Sequence, residues 1–441
     1  MAFSPESRSS LFLAFSALIW VGCGESTSAD SGSRPAHAAG AASAGASGAA
    51  SSNPGPGAGG GTLVADAGEA PVSDGGAPPS AGGAPTIGAG GSAQGAGGAS
   101  AGTPVPFVYV GSTNGQISIF SLDAALGKLT LVKSVAAGNY PSFLAFDSTF
   151  AHLYAVNEPD GKLAAFSVDP KLGDLTFLNR VDSGGAGPAF VSVDHSGKYL
   201  MVANYEGGTT RVLPIRADGS LGAASDDKSP GTNSHMILTD PGNLFAFVMN
   251  KGSDTISQYV FDATNGTLKP NPVPSVMTAS GSGPRHLAFH PDGKYAYVIA
   301  ETNDTLSAYG YDAKLGRLTF LESKSTLPVG ENGASNTCAE VVVAPSGKFV
   351  YGSNRGHDSI ARFSIESDTG KLTFIDTTPS GGNVPRSFTL SAGGELMLVA
   401  NESGNVTSFS VDTKTGALTK LLTLDVPQKP QFVGIASLPP K

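Results

Sequence analysis

Carboxylates that can take a proton, imidazoles that can share one and guanidiniums that can hold an anion recur along this 441-residue chain, and comparing its repeats sorts them. At the expected end of the second strand of each repeat the residues read Ser112, Asn157, Asn204, Asn250, Glu301, Asn354 and Asn401. The asparagines imply a structural amide bonded to neighbouring backbone. Glu301 breaks that column, and a carboxylate where an amide is built in is the local inconsistency expected at a functional site.

The start of the first strand separates the repeats in the same way. Three carry an aromatic there, in PSF from Pro141, PAF from Pro188 and PQF from Pro430, whereas the others read SHM, PRH, CAE and PRS. Those four present His235, then Arg285 with His286, then Glu340, then Arg386, and Arg355 adds a cation directly after Asn354. The result is a polar, cation-rich pocket suited to an anionic ligand, with His286, Glu340, Arg386, Asn204 and Asn354 as binding contacts. His195, His290 and His357 fall in turns or loops and are read as solvated surface groups. The chain has no HExxH, no close His/Cys spacing, no GxSxG elbow and no P-loop, so zinc, a serine triad and nucleotide phosphates have no support and no cofactor is called for.

The elements that must position these residues are strands. The unit from Pro284, PRHLAFHPDGKYAYVIAETNDTLSAYGYDAKLGRLTFLES, holds four apolar-alternating segments separated by turn residues. Its second turn, DAKLGRL, recurs in variant form at 123, 169, 216, 262, 367 and 412, about 45–55 residues apart. Four strands at that period predict an all-β, seven-bladed β-propeller over 105–441. The domain opens on a second-type strand, FVYVGS, and closes on a first-type strand, QFVGIAS, so the C-terminal strand must complete the N-terminal blade and leave no open edge. Chain direction then puts the starts of first strands and the ends of second strands together at one mouth of the central channel.

Four stretches resemble the bacterial propeller-type 6-phosphogluconolactonases and the related fungal carboxy-muconate lactonizing enzymes: ANYEGG at 203–208, GPRHLAFHPDGKYAYVIAE at 283–301, NTCAEVVVAPSGKFVYGSNRGHDSI at 336–360, and VPRSF with LMLVAN at 384–401. The resemblance implies a lactone site built from His235, Arg285, Glu301 and Arg355, read as the catalytic set. The arginines would polarise the carbonyl, and Glu301 or His235 would be general base to the attacking water. The chain departs from the family pattern at NSHM, where relatives are histidine-rich, and at Asn250-Lys251-Gly252, where they read DLG. Two other readings stay open: a non-catalytic, surface-anchored propeller binding a carbohydrate, anionic ligand or protein, and a muconate-type lactonizing isomerase.

The first hundred residues belong to something else. Residues 11–22, LFLAFSALIWVG, form an apolar run too short for a membrane span and suited to a signal peptide at 1–23. Cys23 after Val21-Gly22 resembles a bacterial lipoprotein cleavage site, which makes it the lipidation candidate and the expected location a membrane anchor outside the cytoplasm. From 24 to 104 the Gly/Ala/Ser/Pro-rich sequence cannot bury enough apolar surface to order itself and is expected to be a disordered tether; roughly 80 such residues span roughly 50 Å. A net charge of −9 without any Lys/Arg cluster excludes nucleic acid as a partner. Membrane contact is expected only through the lipid, and the propeller is expected to act as a monomer on a small-molecule lactone or another anionic ligand.

Overall fold

Each repeat becomes a sheet because its alternating residues give the inner strands two faces to bury, while the outer strand stays largely exposed. In the computed structural model, which describes residues 105–331, 333–426 and 428–438, the repeat from Pro284 folds into antiparallel strands Pro284–Phe289, Tyr295–Ala300, Thr305–Asp312 and Arg317–Ser325. Its first turn closes on Gly293 at φ +71°, a left-handed conformation that a side chain resists. Tyr297, Ile299, Leu306 and Ala308 are fully buried between this sheet and the next, while Leu315 and Phe320 on the outer edge stay exposed. The apolar run, Cys23 and the Gly-rich stretch lie outside the described residues.

Among the described residues the strands form seven such four-stranded sheets, and one of them joins Pro430–Leu438 to Val105–Ser112, Gln116–Asp123 and Lys128–Ala136. The register runs antiparallel from Val105 opposite Leu438 to Ser112 opposite Pro430, so the two ends of the domain share one blade as the phase of the repeats requires. The fold is the expected seven-bladed propeller. Neighbouring blades are tied through the recurring second turn: Tyr109, Tyr154, Tyr297 and Tyr351 donate their hydroxyls to the carbonyls of Gly173, Gly219, Gly370 and Gly416 at 2.7–3.0 Å. Each of these glycines has positive φ and lies in the following blade.

The asparagine column is a second set of ties. Asn157, Asn204, Asn354 and Asn401 are fully buried and donate from Nδ2 to the carbonyls of Ala137, Ser183, Thr326 and Ser380, which close the preceding blade. Strand pairing shows that Glu301 is not in this column. Pro188, Ser234, Cys338 and Pro385 face Asn204, Asn250, Asn354 and Asn401, and the residue facing Pro284 is Ala300. The break in the column is therefore an alanine, and Glu301 belongs to the next position along. Without an amide there, a hollow of about 340 Å3 opens beside Thr278, Ala300 and Phe320, with no charged side chain in its wall.

His290 also differs from expectation: it is only 8 % exposed and donates from Nε2 to Gly347 O at 2.9 Å, linking the turns of two blades. Asn354→Ala is expected to cost about 2 kcal/mol, because it removes the bond from the buried Thr326 hydroxyl to Asn354 Oδ1 at 2.7 Å and takes from the Thr326 carbonyl its donor at 3.1 Å. A denaturant melt measures this loss.

Candidate active site

Backbone irregularity aims the site residues. In six blades the first strand carries a bulge near its start, with register shifts between Pro188 and Phe190, Ser234 and Met236, Pro284 and His286, Cys338 and Val341, Pro385 and Ser387, and Pro430 and Phe432. A bulge takes the extra residue out of the ladder and re-aims its side chain. Ala189, His235, Arg285 and Arg386 are such residues, and all four line one cavity of about 190 Å3 at the channel mouth.

The rest of the lining comes from the residue that follows each position of the asparagine column, which in chain order is Thr113, Glu158, Tyr205, Lys251, Glu301, Arg355 and Glu402. Glu158, Tyr205, Glu301 and Arg355 complete the cavity. Glu301 is fixed through its backbone: its N–H donates to Gly283 O at 2.8 Å and its carbonyl accepts from Cys338 N–H at 3.0 Å, in the next blade. Gly283 has φ +63°, and a Cβ there would lie 2.7 Å from Thr302 Oγ1, so only glycine fits.

Three cations converge on the Glu301 carboxylate. Lys251 Nζ donates to Oε1 at 2.8 Å, Arg355 Nη2 lies 3.2 Å from the same oxygen, and Arg285 Nε lies 3.2 Å from Oε2. Lys251 is held in turn by the Tyr205 hydroxyl at 3.2 Å and by the Tyr205 ring. The guanidiniums are braced from behind, Arg285 Nη1 donating to Ala339 O at 2.7 Å and Arg355 Nη2 to Cys338 O at 2.8 Å. Arg386 pairs with Glu402 at 3.5 Å.

Burial alone would raise the Glu301 carboxyl, but Arg285, Arg355 and Lys251 outweigh it and hold the group at about 2. Burial, aided by the charges of Arg285, His286, Arg386 and Arg355, pushes His235 well below the ordinary imidazole range, so it is neutral at pH 7. Burial and the nearby Arg355 pull Arg285 down to about 9 against the pull of Glu301, and it stays charged at neutral pH. His235 Nδ1, Glu158 Oε2 and Arg355 Nε have no hydrogen-bond partner although they are buried at the cavity wall. A polar ligand would satisfy them.

Below the cavity the channel is plugged. Phe143 packs against Phe190, Phe432 and His286 with ring centroids 4.2, 4.9 and 5.9 Å away, so aromatic rings fill the channel there. The lone described cysteine, Cys338, is fully buried with its thiol pushed up to about 12 by burial, which excludes it as a nucleophile.

A family model for lactonase, 7-bladed beta-propeller, matches residues 107–433. The chain belongs to that family. It is 33 % identical over 333 residues to the 6-phosphogluconolactonase of Bacillus subtilis, covering 72 % of this chain and 93 % of that one. It is 30 % identical over 333 residues to the 6-phosphogluconolactonase of Pectobacterium carotovorum, covering 75 % and 98 %. Among solved structures, the periplasmic gluconolactonase of Pseudomonas aeruginosa superposes with a TM-score of 0.71 at 27 % identity, covering 76 % of this chain and all of that one.

In this lactonase-family propeller the structure brings His235, Arg285, Glu301, Arg355 and Arg386 to one cavity. It places His286 and Glu340 one layer lower, around a smaller hollow that shares Ala189, Arg285 and Arg386 with the cavity. Asn204 and Asn354 do not reach either space; they are interblade ties, because the strand turns their amides toward the preceding blade. Glu158, Tyr205 and Lys251 were missed. Their signal lies in the repeats, one residue past the asparagines.

Proposed function

We propose that the protein hydrolyses a sugar-type lactone bearing an anionic substituent, in the cavity at the channel mouth. The observation that carries this reading is the convergence of Arg285, Arg355 and Arg386 on one small cavity, with an unpartnered donor on Arg355 and an unpartnered nitrogen on His235 facing it. Lactone hydrolysis develops negative charge on the carbonyl oxygen, and preorganised guanidiniums stabilise it without reorganising. Glu301 is the counter-ion that sets their geometry. A carboxyl held at about 2 is a weak base, so the role of general base does not fall to Glu301. Neutral His235 serves as a hydrogen-bonding wall for the sugar hydroxyls.

The ligand is a small molecule, the propeller acts as a monomer, and the membrane enters only through a lipid on Cys23. The apolar run at 11–22 supports export, as does the description of the Pseudomonas aeruginosa relative as periplasmic. An exported enzyme would meet sugar-acid lactones carrying carboxylate as well as phosphate. Arg355→Lys tests the cation's part: one guanidinium nitrogen, Nη2, reaches both Cys338 O and Glu301 while Nε stays unpartnered at the cavity wall, and a single lysine ammonium cannot supply both positions. The expected result is a loss in kcat/KM of about a hundredfold on phosphorylated or carboxylated lactones and of about tenfold on an uncharged one. Equal losses on all three would remove anion recognition from the proposal.

A further inference from the structure

Beneath the cavity lies a hollow with about 10 Å3 open to the centre of a water molecule, which is room for one. Its wall includes Ser142, Gln431, Glu340 and His286, and it shares Ala189, Arg285 and Arg386 with the cavity above. Ser142 and Gln431 are each 1 % exposed, and Ser142 Oγ and Gln431 Nε2 have no hydrogen-bond partner. The Gln431 amide is oriented by the Tyr140 hydroxyl, which donates to its Oε1 at 3.0 Å and leaves the NH2 to the hollow.

Glu340 is placed differently from Glu301. Its Oε1 accepts from His286 Nδ1 at 2.8 Å and from the Val341 N–H at 3.2 Å, and no arginine or lysine pairs with it among the described residues. His286 in turn accepts from Arg285 Nη1 on Nε2 at 3.2 Å, so both ring nitrogens are engaged. The imidazole therefore fixes Glu340 in place without taking the proton itself.

We propose that this hollow holds the hydrolytic water and that Glu340 is the base that deprotonates it, an assignment that rests on the lactonase reading of the cavity above. The water accepts from Gln431 Nε2 and donates to Glu340 Oε2 and Ser142 Oγ. As its oxygen bonds the carbonyl carbon, one proton passes to Glu340 and the carbonyl electron pair moves onto the oxygen beside Arg285 and Arg355. Collapse re-forms the carbonyl and breaks its bond to the ring oxygen, which takes the proton back from Glu340. The product is the open hydroxy acid, which then ionises to solvent.

The test is steady-state hydrolysis by the full-length protein of whichever lactone the wild type turns over, for Glu340→Gln, Glu340→Ala and Gln431→Leu. Glu340→Gln is expected to lower kcat by at least about a hundredfold with KM changed by less than about threefold, since it loses the base and not a ligand contact. Formate should restore Glu340→Ala by about tenfold or more, because the shortened side chain leaves room for a small carboxylate at the same place; a structural role would not be rescued. Gln431→Leu is expected to lower kcat by about tenfold and leave KM alone, and it decides the matter if the Glu340 variants do not fold. Retention of more than about a tenth of kcat by Glu340→Gln, failure of formate on folded Glu340→Ala, or unchanged kcat in Gln431→Leu would each overturn the assignment while an active wild type keeps the lactonase reading. A wild type inactive on every lactone would overturn that reading and this one together.

Discussion

Glu301→Gln is expected to abolish lactone turnover, by at least about a thousandfold, and to cost the fold about 3 kcal/mol. Both effects have one cause. Lys251, Arg285 and Arg355 are held at 2.8–3.2 Å from a carboxylate that is 14 % exposed, and glutamine would leave three partly or wholly buried cations repelling each other. The two arginines would then swing away from the positions that meet the developing oxyanion. The pH dependence follows from the same pairing. The folded-state value of about 2 lies below the unfolded 4.5, so the contribution is complete above 4.5 and is lost as pH falls through about 2. Wild type should therefore lose stability through that acid window more steeply than Glu301→Gln, and urea melts at several pH values measure the difference.

Removal of residues 430–441 is expected to unlatch the ring. The deleted strand Pro430–Leu438 buries Val433, Ala436 and Leu438 almost completely and is hydrogen-bonded along the whole of Val105–Ser112. The lost burial alone is about 5 kcal/mol, comparable with the whole stability of many domains. It also bares the edge of a strand whose Val108 and Val110 are fully buried, an invitation to pair with another chain. Size-exclusion chromatography should show aggregates, and thermal melting should lose its cooperative transition.

The propeller and its closure were legible because they depend on periodicity and phase, which survive substitution of individual residues. The site was legible to the extent that its residues break a repeat: His235, Arg285 and Arg386 differ from Ala189 or Ser142 at like positions. Register was not legible. The end of a second strand is defined by its partner, and only the pairing of Pro284 with Ala300 shows that Glu301 stands one place beyond the asparagines. Reading that next position across the blades would have found Lys251, Tyr205 and Glu158. Depth was hidden for a similar reason: Arg285 and His286 are neighbours in sequence, but the bulge sends one to the cavity and returns the other to the ladder, facing Glu340 in the layer below.

The most direct measurement is acid release in a pH-stat from phosphorylated, carboxylated and uncharged sugar lactones, with the full-length protein and with Glu301→Gln. Saturable release above the spontaneous rate, strongest on the charged lactones and absent from the folded variant, is the predicted result. Saturable binding of the same lactones by folded wild type with no release above the buffer rate would contradict hydrolysis at this cavity and leave a binding protein in its place.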